Sequence, residues 1–168
     1  MEIKNWFTDN KTIKKDKMFT ELKNTIDNTI FQTNLSVEEK LQNICDVLRQ
    51  EVKHYDWVGF YFHKENEKVL ELAQFSGTPT DHTIIPFGKG ICGQVAVSDQ
   101  NFVVPDVKAQ DNYIACSLTV KSEIVIPIFK NGKNIGQIDI DSEMLNPFTK
   151  DDEIFLEWIC GEVAKTLE

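Results

Sequence analysis

No stretch of this sequence approaches the roughly 20 consecutive apolar residues that cross a bilayer as a helix. The opening run MEIKNWFTDNKTIKKDKMF lacks the apolar core of an export signal, so a cytoplasmic protein is expected. Basic charge is scarce: 18 Lys and Arg stand against 27 Asp and Glu, a formal net charge of -9. Nucleic acids and anionic membranes are bound by basic faces, so neither is expected as a partner. No CxxC pair occurs among Cys45, Cys92, Cys116 and Cys160. Without an export signal, that excludes a disulfide framework as the expected use of these thiols, and it argues against structural zinc. The histidines His54, His63 and His82 form no helical metal motif, and no phosphate-binding glycine loop is present, so neither a metal nor a bound cofactor is expected.

What remains is enough for one domain. The chain has 168 residues, is 41% hydrophobic and contains 11 Phe, sufficient for a genuine core. Met18, Phe19, Leu22, Ile26 and Ile30 fall at helical spacing, which predicts a helix over about 17–31. In SVEEKLQNICDVLRQEV, Ser36 and Glu39 form a capping box ahead of a second helix, whose stripe of Val37, Leu41, Ile44, Cys45, Leu48 and Val52 makes Cys45 a packing residue. The pattern then changes period. YDWVGFYFH and EKVLELAQFSG read as a strand pair, TPTDHTIIPFGKG as loop, ICGQVAVSD as a short helix and NFVVPDV as a short strand. SEIVIPIFKNGKNIGQIDIDSE reads as a hairpin turning at Asn131-Gly132, in which Pro127 demands an edge or a bulge. A last helix follows the N-cap Thr149, with Ile154, Phe155, Trp158, Ile159, Val163 and Leu167 on one face and Cys160 beside them. This order predicts an α+β fold: an antiparallel sheet with N- and C-terminal helices packed on one face.

Alternation places Asp139 and Asp141 on one face of their strand and Ile138 and Ile140 on the other. Glu123 lies on the partner strand at the same end of the hairpin, so three carboxylates converge. Like charges repel unless a cation, a proton or water intervenes, so such a cluster suits an ammonium group, a metal ion or an acid kept protonated. Cys92 in GKGICGQ stands at a loop-to-helix junction. It is read either as a thiolate favoured by helix N-terminal N–H groups or as a small residue packed under a turn. Cys116 sits among loop residues with no apolar stripe to join, which points to a reactive thiol. His82 is a possible additional ligand beside the acids, without a recognised spacing to support it.

DWVGFYF, IPFGKGICGQVA, VPDV, YIACSLTVKSEIVIPI and IGQIDIDSEMLNPFTKDDEIFLE together resemble the free methionine-(R)-sulfoxide reductases, which are stand-alone GAF domains. The resemblance covers residues 35–168 and leaves 1–34 as an N-terminal helical extension. It implies a GAF-like sheet and reduction of the free amino acid. Cys116 would be the nucleophile, and Glu123, Asp139 and Asp141 would hold the ammonium and protonate the sulfoxide oxygen. Trp57 and Tyr61 would pack around the substrate. A disulfide would then be reduced by thioredoxin or another thiol, with no bound cofactor, in a homodimer. The family commonly carries a further cysteine where this sequence has His82. Cys92 is then the loop thiol left to resolve Cys116, with a small thiol such as glutathione as the alternative. The competing expectations are a non-catalytic GAF domain that binds a small ligand and a thiol redox sensor.

Overall fold

The structure is a computed structural model that describes residues 3–113 and 118–167, with side chains from Thr12 onward. Helix α1 (Ile3–Ile30) and helix α2 (Val37–Glu51) precede strands β1 (Trp57–Lys64), β2 (Val69–Ser76) and β3 (Ile84–Pro86). Helix α3 (Gly90–Ser98), strand β4 (Phe102–Val104) and a single 3-10 turn at Val107–Ala109 lead into β5 (Ser122–Lys130) and β6 (Lys133–Ser142). Helix α4 (Lys150–Ala164) closes the chain. The strands form one antiparallel sheet in the order β3-β2-β1-β6-β5-β4. Among the described residues no helix is long and apolar enough to cross a membrane.

Strand alternation divides the molecule into two apolar layers. Val58, Phe60, Ile124, Ile126, Ile128, Ile138 and Ile140 point to one face. They pack there on Phe19, Leu22 and Ile26 of α1, Leu41, Ile44 and Leu48 of α2, and Phe155, Ile159 and Val163 of α4. The opposite face carries Trp57, Tyr61 and Val125, covered by Ile91, Cys92 and Val95 of α3. The terminal helices therefore share a face, as expected, and α3 stands alone on the other.

Local signals account for most of the boundaries. Ser36 and Glu39 complete the capping box: Glu39 N–H donates to Ser36 Oγ at 3.2 Å and Ser36 N–H to Glu39 Oε2 at 2.8 Å. Asn131 and Gly132 both have positive φ, 53° and 76°, the geometry of a two-residue hairpin turn. Pro127 sits opposite Gln137 of β6, while β4 pairs β5 only from Glu123 to Val125. At Pro127 the strand has become an edge, so its missing N–H deprives no ladder partner.

Three expectations need correction. Helix α1 starts at Ile3 rather than near Lys17, since no Gly or Pro interrupts 3–30 and the polar first half lacks an apolar period to reveal it. Part of the stretch read as loop forms β3, a three-residue edge strand in which Pro86 is tolerated. The buried stripe of α4 is rotated from the one expected: Leu156 and Cys160 are in the core, whereas Ile154 is 50% exposed. Cys160 donates to the carbonyl of Ile126 at 3.6 Å, and burial pushes its thiol pKa up, as it does that of Cys45.

One buried acid joins three distant segments. Asp152 near the start of α4 accepts from Lys15 Nζ of α1 at 2.5 Å, from His54 Nε2 at 2.8 Å and from Tyr55 Oη at 3.1 Å. It also accepts from the N–H of Thr149, the N-cap, at 2.7 Å. Burial raises its pKa, but the hydrogen bonds from His54, Lys15 and the Thr149 N–H outweigh that and hold it below the usual carboxylate range. A depressed folded pKa adds stability that is present above the unfolded value and is lost as pH falls through the folded one. Asp152→Ala is expected to cost about 3–5 kcal/mol in urea unfolding at pH 7, by stranding Lys15 and His54. The gap between variant and wild type should narrow progressively below about pH 4.

Candidate functional site

The site lies on the α3 face, at the end of the β5-β6 hairpin away from its turn. Glu123 pairs directly with Asp141 across the two strands, and Val125 with Asp139, so Glu123 and Asp139 are diagonal neighbours. On the other side of β6, Trp57 pairs with Asp141 and Gly59 with Asp139. All three carboxylates are buried, with 3%, 1% and 2% exposure for Glu123, Asp139 and Asp141. Burial is the largest influence on each and raises all three pKa values. Glu123 is raised further by the charges of Asp139 and Asp141, and Asp141 by those of Asp139 and Asp56. Asp139 is raised to about 7, its rise tempered by hydrogen bonds from Cys92 and Glu123. The site is thus an acid store, holding protons at a pH where ordinary carboxylates have lost them.

Helix α3 aims Cys92 at this cluster. Lys89 is its N-cap in extended geometry, and Gly90 begins the helix at φ 63° with its N–H donating to Asn112 Oδ1 at 3.2 Å. Cys92 follows within the first turn and is 4% exposed. Its thiol donates to Asp139 Oδ2 at 3.2 Å and lies 3.9 Å from Glu123 Oε1. Cys92 is buried, as the packed reading expects, and its thiol faces the acids as a hydrogen-bond donor rather than standing as a thiolate at the helix N–H groups. Asp139 Oδ1 and Asp141 Oδ1 are buried, and no group among the described residues hydrogen-bonds them.

Two shallow clefts open beside the acids. Asp56, Trp57, Thr78, Thr80, Thr119, Val120, Asp141 and Glu143 line the first. His82, Ile85, Lys89, Gly90, Ile91, Cys92, Glu123 and Asp139 line the second. The indole of Trp57 lies flat over Gly59 and against Gly77. A Cβ on either glycine would fall 2.2 Å or 2.5 Å from the ring, and Gly77 also has φ 138°. Trp57 Nε1 donates to the carbonyl of Thr78 at 3.1 Å, and the ring stacks on Phe75 at 5.6 Å. Tyr61 is wholly buried and reaches the site indirectly, its hydroxyl donating to the carbonyl of His82 at 2.9 Å.

Of the residues expected at the site, the fold brings Cys92, Glu123, Asp139, Asp141 and Trp57 together, with Tyr61 behind them. Cys116 lies outside the described residues. Residues not anticipated are Asp56 and Glu143 beside Asp141, with Asp56 Oδ2 accepting from the N–H of Glu143 at 2.7 Å. The one signal for Asp56 was its place just before WVGFY, at the start of a strand that pairs with β6. His82 lines the cleft that holds Glu123 and Asp139.

The model of the GAF domain family matches residues 34–168. GAF domain-containing protein A of Dictyostelium discoideum is 41% identical over 119 residues, covering 71% of this chain and 73% of that protein. The free methionine-R-sulfoxide reductase of Escherichia coli is 31% identical over 140 residues, 83% of each chain. The X-ray structure of the free methionine-R-sulfoxide reductase from Neisseria meningitidis, in complex with its substrate, superimposes with a TM-score of 0.79 at 36% identity. It covers 86% of this chain and 84% of that one. Family match, sequence kinship and shared fold agree, and the chain belongs to the GAF-domain family of free methionine-R-sulfoxide reductases.

Proposed function

We propose that the protein reduces free L-methionine-(R)-sulfoxide to L-methionine by thiol chemistry. The observation that carries this reading is the set of three buried carboxylates with raised pKa values beside the Cys92 thiol. A sulfoxide sulfur accepts a thiolate only when its oxygen is protonated or strongly hydrogen-bonded, so a proton-bearing acid is the group the reaction needs. The remaining carboxylate charge suits the ammonium of a free amino acid. Kinship with reductases named for this substrate supports the same conclusion.

In this reading the Cys116 thiolate attacks the sulfoxide sulfur while an acid of the cluster protonates the oxygen. Methionine leaves with its sulfur reduced, and Cys116 keeps the oxygen as a sulfenic acid. The Cys92 thiol condenses with it, forming the disulfide and releasing water. A thioredoxin-type dithiol, or another thiol, then supplies two electrons and two protons to restore both cysteines. Trp57 walls the substrate, Tyr61 holds the His82 main chain, and the working unit is a homodimer.

Burying these acids costs stability. A folded pKa raised to about 7 gives Asp139 a contribution that is fully present below the ordinary Asp value and is lost as pH rises through about 7. Asp139→Asn should therefore be more stable than wild type at pH 8, with a smaller difference at pH 5, as read by urea unfolding at both pH values. The same variant should slow methionine release by about 10²–10⁴-fold, the usual worth of a positioned general acid. In the wild type, release should weaken as pH rises through about 7.

The deciding experiment mixes reduced protein with the R and S epimers of free methionine sulfoxide, without recycling reductant, and counts methionine released. About one equivalent from the R epimer alone is expected, as for a nucleophile that turns over once. Cys116→Ser should release none. Cys92→Ser should release the first equivalent but form no internal disulfide on peptide mapping. No methionine from either epimer with reduced thiols would overturn the reading and leave a ligand-binding GAF domain.

A further inference from the structure

Cys92 Sγ, one oxygen of Glu123 and one of Asp139 all lie within 4.8 Å of one another, on side chains that are all buried. Zinc bonds of about 2.3 Å to sulfur and about 2.0–2.2 Å to carboxylate oxygen set tetrahedral ligand atoms roughly 3.5 Å apart. The 3.2 Å and 3.9 Å separations from Cys92 Sγ to Asp139 Oδ2 and Glu123 Oε1 bracket that spacing. A second observation points to a cation: no group among the described residues hydrogen-bonds Asp139 Oδ1, on a side chain 1% exposed. Among the described residues, the charges that bear on these acids, from Asp139, Asp141 and Asp56, are all negative. The cleft that opens onto the three groups is also lined by His82, and it leaves room for a fourth ligand from water or that side chain. A mixed thiolate and carboxylate set favours zinc over the harder magnesium and calcium, which prefer all-oxygen sites.

We propose that the reduced protein binds one zinc ion through Cys92, Glu123 and Asp139, and that the ion excludes any small ligand using the same acids. Binding displaces the thiol proton and the proton held among the carboxylates, and both are released to solvent. A Cys92 held in a disulfide cannot ligate, so zinc marks the reduced form and withholds that thiol from oxidation. The site depends on Cys92, Glu123 and Asp139 and stands whether or not the chain reduces methionine sulfoxide.

The test titrates the reduced full-length protein with zinc against a chromophoric chelator, and with cobalt as an optical probe. One ion per chain and a thiolate-to-cobalt charge-transfer band are expected. Cys92→Ser and Asp139→Asn should each weaken binding by about 100-fold or more, at least the upper end of what losing an outer-shell partner costs. One ion bound per chain by a protein that releases no methionine would separate this site from a failure of the proposed reaction. Asp139→Asn preserves side-chain volume and removes a buried charge, and circular dichroism checks its fold. No bound ion, no thiolate band, or an affinity unchanged in Cys92→Ser overturns the proposal.

Discussion

The structure turns on the burial of three carboxylates on one face of a two-stranded ladder. Repulsion within such a cluster is relieved by protons or by a cation, and desolvation pushes in the same direction. The surroundings serve that arrangement. Asp139 and Asp141 share a face because strand side chains alternate, and Glu123 meets them because the Asn131-Gly132 turn and the one-residue register shift between Ile128 and Phe129 together set the pairing. The alternating isoleucines, Ile138 and Ile140, anchor the same strand in the main core. Shifting the register by one residue would turn the acids toward the terminal helices and the isoleucines toward α3, so the core that stabilises the fold also fixes the chemistry.

The division of the sheet into two faces separates stability from function. The layer under α1, α2 and α4 is almost wholly apolar. The opposite layer mixes aromatic and aliphatic groups with the acids, covered by the short helix α3. Its first turn carries Cys92 onto Asp139, and the two glycines under Trp57 let an indole lie where a Cβ would stand. Protons or ligands held at the acids are thus enclosed by groups that differ in origin: a hairpin, a helix start and the first strand.

Where the determinants are local, the sequence was legible. Two-residue alternation in QIDIDS, the Ser36-Glu39 box and the Asn131-Gly132 turn each act within a few residues, and the structure has all three. The terminal helices on one face also followed, since their apolar stripes require a common surface. What escaped depends on partners distant in the chain. Strand β3 exists because β2 offers an edge to Ile84–Pro86. Asp152 looked like an ordinary first-turn acid, and its role comes from Lys15, His54 and Tyr55. In α4, period alone could not distinguish Ile154 from Leu156, because the packing angle of the helix decides which is covered. Asp56 and His82 carry no motif; strand pairing and the loop held by Tyr61 bring them to the clefts.

The two outer strands have a consequence for the molecule's behaviour in a crowded solution. An unpaired strand edge is a template onto which another chain can add. Here both outermost strands are three residues long, β3 contains Pro86, β4 stops just before Pro105, and β5 carries Pro127 where it becomes the edge. Each edge is too short and too interrupted by imide nitrogens to nucleate an extended ladder. Self-association by continuing the sheet from copy to copy is thereby blocked at both ends. The fold thus resists runaway polymerisation through its sheet.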